Sequence, residues 1–200
     1  MSSAAAKSMA TPPPPKTVAD LLAADPDRSF ELIDGELVEK QAGFRHGRAQ
    51  VQLSRSVGAF DRPGGGEGGP GGWWILSEQL IRFSPSRVLK PDLAGWRRDR
   101  LPTPPPEDED GIIDTRPDWV CEIVSPKHAA NDMVRKRRLY LQYQVPHYWI
   151  IDPRDQSVLI LQLGEQGYME LAVAQRGDIL ANAAPFGLDL VVADLFPDEA

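Results

Sequence analysis

The chain has 200 residues, 42% hydrophobic and 26% charged, with a formal net charge of -7 and a single cysteine. That length fits one domain able to close a core around a sheet, and no apolar run approaches the roughly 18 residues of a membrane span. The acidic balance argues against a protein that coats nucleic acid through bulk phosphate neutralisation, and one cysteine rules out an internal disulfide.

The first residues are small, with two lysines and four consecutive prolines, Pro12 to Pro15, and lack the apolar core of a signal peptide. Residues 1–16 are therefore read as a disordered leader and 17–200 as one domain of a cytoplasmic protein with no membrane attachment. Val18 to Ala24 is a short helix candidate. Phe30 to Lys40 holds two runs pivoting on Asp34-Gly35, a strong hairpin signal. Arg45 to Phe60 spaces Val51, Leu53, Val57 and Phe60 as an amphipathic helix does.

The stretch Gly64 to Gly72 ends without the Gly-Lys-Ser/Thr of a phosphate cradle and runs into the strand-like Trp73 to Leu76, so it reads as a flexible connector. Gln79 to Phe83 and Val88 to Trp96 are further strand candidates. Leu101 to Arg116 has the proline-rich, acidic composition of an exposed loop. Then come a strand over Pro117 to Val124, a helix from about Asn131 to Tyr143, a strand over Tyr148 to Asp152, and a hairpin of Val158 to Leu163 with Tyr168 to Ala174. Strands with helices between them predict a mixed central β-sheet flanked by helices, an α/β or α+β arrangement. Cys121, Tyr148 and Trp149 read as packing residues. No serine elbow is present, and His128 and His147 lack zinc-ligand spacing.

Two strands interrupt an apolar pattern with an acid, Asp92 and Glu122. A buried carboxylate is costly unless paired, hydrogen-bonded or bound to a cation. On neighbouring strands the two would converge and suit a hard divalent ion such as Mg²⁺; alternatively, each pairs with an arginine at a strand end. On the following helix, Lys136 falls on the wheel between Tyr140 and Tyr143, with Arg135, Arg138 and Gln142 opposite. An inward lysine and a snorkelling one both fit that position.

The ordered pieces Glu31 to Val38, His46, Pro91-Asp92-Leu93-Ala94, Pro117 to Pro126, Asp132, Lys136, Tyr140 and Val145 to Pro153 resemble the Uma-type family of bacterial putative restriction endonucleases. The resemblance spans nearly everything after the leader. It implies the PD-(D/E)XK nuclease fold, with Asp92 and Glu122 as metal ligands, the Ile123 carbonyl as a third, and Glu31 or Glu36 as a further carboxylate. The motif's lysine would stand at Val124; Lys136 is the migrated substitute, with Lys127 ranked second. The implied chemistry is Mg²⁺- or Mn²⁺-assisted hydrolysis of DNA phosphodiesters. His46, beside Arg45 and Arg48, is either a phosphate or proton-transfer group or a plain surface residue. A homodimer would let symmetric sites cut both strands. The rival reading is an inactive nuclease-fold module that binds DNA or a protein.

Overall fold

The computed structural model describes residues 13–64, 70–125 and 129–196. Lys127 and His128 lie outside these, as do most of the glycine-rich connector and most of the leader, and nothing is described of the Asp132 side chain.

Helix α1 (Val18–Leu22) opens on a capping box in which the Thr17 hydroxyl accepts from the Asp20 N–H and the Asp20 carboxylate accepts from the Thr17 N–H. Strands β1 (Ser29–Ile33) and β2 (Glu36–Lys40) form the expected hairpin. Asp34 and Gly35 both have positive φ, 53° and 79°, as a two-residue hairpin turn with native twist requires. A Cβ on Gly35 would sit 2.7 Å from the Pro15 Cβ. Helix α2 (Phe44–Gly58) follows, then β3 (Trp73–Ser77), β4 (Ile81–Ser84), β5 (Arg87–Leu89), β6 (Leu93–Arg97) and β7 (Trp119–Ile123). Helix α3 (Ala129–Gln142) leads to β8 (His147–Asp152), β9 (Ser157–Gly164), β10 (Gly167–Gln175), β11 (Ile179–Ala183), β12 (Leu188–Val191) and α4 (Val192–Leu195).

The central sheet runs β10-β9-β8-β7-β6-β3. Only β7 and β8 are parallel, and α3 makes the crossover that a parallel pair needs. A second sheet, β2-β1-β5-β4, and the β11-β12 pair complete the mixed α+β fold, which is restriction-endonuclease-like. Alternation divides the central strands between two cores. Trp119, Cys121, Ile123, Trp149 and Ile151 face Ala49, Leu53 and Val57 of α2 and Val192 and Leu195 of α4. Val120, Tyr148 and Ile150 face Leu139 and Tyr140 of α3, with Ile33, Ile81 and Leu89 of the second sheet. Cys121 is a free, buried thiol whose burial pushes its pKa up, consistent with packing.

Two expectations require correction. The single strand predicted over Val88 to Trp96 is two strands in different sheets. β5 pairs with β1 and β4, whereas β6 pairs with β3 and β7, and the chain changes sheet at Lys90-Pro91-Asp92, where Pro91 has no N–H to give a ladder. Nor is the 101–116 loop wholly exposed. Ile112 and Ile113 are fully buried, the Ile113 N–H donates to the Leu80 carbonyl, and Arg82 pairs with Asp108. Its acidic and proline-rich composition concealed two apolar anchors.

Candidate active site

The sheet change at Pro91 delivers Asp92 to the start of β6, beside the end of β7. The register Leu93↔Cys121 makes these strands direct antiparallel neighbours, which places Asp92 and Glu122 at the same end of the pair. One Asp92 oxygen, Oδ2, accepts the Ile123 N–H at 2.6 Å. The other, Oδ1, accepts from Lys40 Nζ at 2.8 Å and lies 3.2 Å from His46 Nε2. Burial alone would raise this fully buried carboxyl, but Lys40 and then His46 hold it well below the usual carboxylate range.

Glu122 shares the face of Val120 and is buried against α3. Its Oε2 accepts from Lys136 Nζ at 2.9 Å and its Oε1 accepts from the Tyr140 hydroxyl at 2.6 Å. Lys136 and Tyr140 are four residues apart and share a helix face, as the wheel predicted. Lys136 is 2% exposed, so it does not snorkel. Its ammonium also stands 2.9 Å from Glu31 Oε2 on β1. That contact lies outside hydrogen-bond geometry, and Glu31 Oε2 accepts no hydrogen bond among the described residues, while the Lys90 N–H donates to a Glu31 oxygen at 2.7 Å. Desolvation raises the Glu122 carboxyl to about 7 against the opposing pull of Lys136 and Lys40. Both acids therefore pair with lysines, and the arginine-paired alternative does not hold.

Four further groups surround these. His46 is buried because it begins the stripe His46, Ala49, Leu53, Val57 along the inner face of α2; the surface reading of this histidine is corrected. Gln50, one turn on, donates to the Asp92 carbonyl and to Glu78 Oε1, both at 3.1 Å. Glu78, just after β3, has a left-handed φ of 54°, a conformation that costs a non-glycine residue about 1 kcal/mol. Burial raises its carboxyl, against Lys40. Lys40 ends β2 and reaches Glu78 as well as Asp92.

Glu36 stands elsewhere. Its side chain is 70% exposed and pairs with Arg135 on the surface, so of the two candidates Glu31 and Glu36 it is Glu31 that reaches this cluster. Val124 is buried in the core and offers no cation.

Glu31, Lys40, His46, Glu78, Lys90, Glu122, Ile123 and Lys136 line a cavity of about 500 Å³. Asp92 lies behind it, sealed by Lys40 and His46. Among the described residues, no three acidic or imidazole side chains surround one point ready to hold a metal ion. The lysines stand between them, Lys136 between Glu31 and Glu122 and Lys40 between Asp92 and Glu78. Lys40, Glu78 and Gln50 were not anticipated from sequence. Lys40 and Glu78 sit at strand ends with no periodic signal, and Gln50 is an ordinary helical polar residue.

At the other end of β7, the buried Asp118 accepts from the exposed Arg100 at 2.7 Å and caps the Arg97 N–H. This pair fastens the β6–β7 connection away from the cavity. No described helix is long and apolar enough to cross a membrane.

Comparison with known proteins agrees with this architecture. None of the curated proteins matches the chain. Among solved structures, a putative nuclease belonging to DUF820 from Anabaena variabilis superposes with a TM-score of 0.70 at 23% identity, over 91% of this chain and 98% of that one. At that identity the likeness speaks for the fold. The family model described as Uma2, putative restriction endonuclease, matches residues 17–193, and the chain belongs to that family.

Proposed function

We propose that the protein is a metal-dependent endonuclease of the PD-(D/E)XK type that hydrolyses phosphodiester bonds in DNA. The observation that carries this reading is the placing of Glu122 and Lys136 on the wall of one cavity with Asp92 directly behind that wall, on adjacent strands and the crossover helix. Family membership, with its description as putative restriction endonucleases, supports the same conclusion.

The residues fit a hard divalent ion. The donors are carboxylate and carbonyl oxygens, the kind that Mg²⁺ and Mn²⁺ prefer. The carboxylates of Glu31, Glu78, Asp92 and Glu122 stand among the ammoniums of Lys40, Lys90 and Lys136.

Asp92 and Glu122 would hold the ion, with the Ile123 carbonyl as a third donor; it lies on the same edge of β7 as the N–H given to Asp92. Such an ion supplies Lewis acidity at a phosphoryl oxygen and lowers the pKa of water. Lys136, fixed between Glu31 and Glu122, orients the attacking water and offsets charge that grows in the transition state. His46 steadies Asp92 through Nε2. A homodimer would present two such sites to opposite strands.

The test is nicking of supercoiled plasmid with Mg²⁺ or Mn²⁺ by wild type, Asp92→Ala, Glu122→Ala and Lys136→Ala. Metal-dependent nicking lost in all three is expected. A folded wild type that cuts neither plasmid, single-stranded DNA nor RNA would instead favour an inactive module that binds DNA or protein.

A further inference from the structure

Lys40 Nζ sits in a cage of oxygens. It donates to Asp92 Oδ1 at 2.8 Å and to the Lys90 carbonyl at 2.6 Å, and both Glu78 oxygens lie 3.5 Å away. Two carboxylates and a carbonyl are the donor set of a hard divalent cation. Lysine brings to them a compact charge on a flexible four-carbon stem. The stem is the movable part of the wall. The Lys40 side chain is 13% exposed and lines the cavity, whereas Asp92 behind it is 0% exposed.

While Lys40 is in place, Asp92 has no oxygen open to the cavity. Oδ2 is engaged by the Ile123 N–H, and Oδ1 faces Lys40 and His46. A cation arriving from the cavity can reach Oδ1 only by taking the position of the Lys40 ammonium.

We infer that Lys40 is a tethered stand-in for a divalent ion, and that the cage of Asp92 Oδ1, the Lys90 carbonyl and Glu78 is a cation site for which Lys40 and the ion compete. The inference rests on the reading of Asp92 as a metal ligand and adds Glu78 and the Lys90 carbonyl to the donor set. When the ion enters, the Lys40 ammonium turns into the cavity, beside Lys90. Two cationic arms then face the space that an anionic substrate would enter. An anion there holds Lys40 away from the cage, so ion and polyanion each strengthen the binding of the other.

The experiment measures Mn²⁺ binding by electron paramagnetic resonance, on the full chain, for wild type, Lys40→Met, Lys40→Gln and Lys40→Met combined with Asp92→Asn. A competitor that holds the cage nine-tenths of the time weakens apparent affinity about tenfold. Both single variants are therefore expected to bind Mn²⁺ about tenfold or more tightly than wild type, and the double variant to lose that binding. A second measurement needs no variant: reductive methylation read by mass spectrometry should find Lys40 protected in chelator and reactive at saturating Mg²⁺. Unchanged or weaker binding in the Lys40 variants, with wild type still binding through Asp92, would overturn the competition and leave the metal reading intact. Unaltered Lys40 reactivity in an ion-saturated wild type would overturn it equally. Absence of Mn²⁺ binding in every protein would remove both readings.

Discussion

In metal-free buffer, Glu122→Gln should make the protein more stable than wild type at pH 8 and leave it near wild type at pH 5. Desolvation raises this carboxyl from the ordinary 4.5 to about 7. At about 1.36 kcal/mol per pH unit, its ionised form is therefore about 3 kcal/mol less favourable in the folded chain than in the unfolded one. The sign follows from proton uptake. Between pH 4.5 and 7 the folded protein binds more protons at Glu122 than the unfolded chain does, so this contribution is fully present below 4.5 and is lost as pH rises through 7. Glutamine cannot ionise, yet it retains an acceptor for the Tyr140 hydroxyl. Asp92 does not blur the window, because its lowered pKa gives a contribution already complete by pH 5. His147, lowered by burial, acts in the opposite direction, so the comparison is cleanest in a His147→Gln background. Urea melts at the two pH values supply the free energies. If Glu122→Gln instead loses 3–5 kcal/mol at pH 8, the usual cost of breaking a well-compensated buried pair (about that range), the reasoning fails, because Lys136 would then be neutralising Glu122 in full.

Tyr140→Phe removes a 2.6 Å donor to Glu122 and should cost about 1.5–3 kcal/mol, the range for hydrogen bonds to charged groups, in thermal melts at pH 8. Glu36→Gln touches only an exposed pair with Arg135, so stability within about 0.5 kcal/mol of wild type and undiminished plasmid nicking are expected. Leu53→Ala opens a cavity between α2 and the central sheet and should cost about 2–5 kcal/mol in urea melts.

Much of this architecture was legible because the strands and helices carry clear periods. Asp34-Gly35 specified its turn, and α3 was read closely enough to aim Lys136 inward. Asp92 and Glu122 stood out because each is an acid where the pattern demands an apolar residue. Glu31 breaks its strand in the same way, but Glu36 on the same hairpin offered an equal carboxylate, and only the pairing of β1 with β5 separates them. What stayed hidden depends on contacts distant in sequence. Whether Val88 to Trp96 is one strand or two is decided by partners as far away as Leu32 and Cys121. His46 was read from its basic neighbours, while its burial is decided by the apolar stripe that continues from it along α2. Lys40 gains meaning only when folding brings it to an aspartate 52 positions later.

The division of strands between two sheets has a thermal consequence. Glu31 and Lys40 belong to the small sheet, whereas Asp92 and Glu122 belong to the segment that builds the large one. The outer face of the small sheet packs on a minor cluster of Leu21, Leu32, Val88 and Ile112, far less apolar mass than surrounds Trp119 and Trp149. Regions with little buried apolar surface open first on heating. The cavity should accordingly come apart as a separate early event: Lys40 becomes reactive and the Glu31–Lys136–Glu122 bridge parts while indole fluorescence from the large core still reports a folded protein. Cooperative melting of the whole chain would then overestimate the temperature to which the site itself survives.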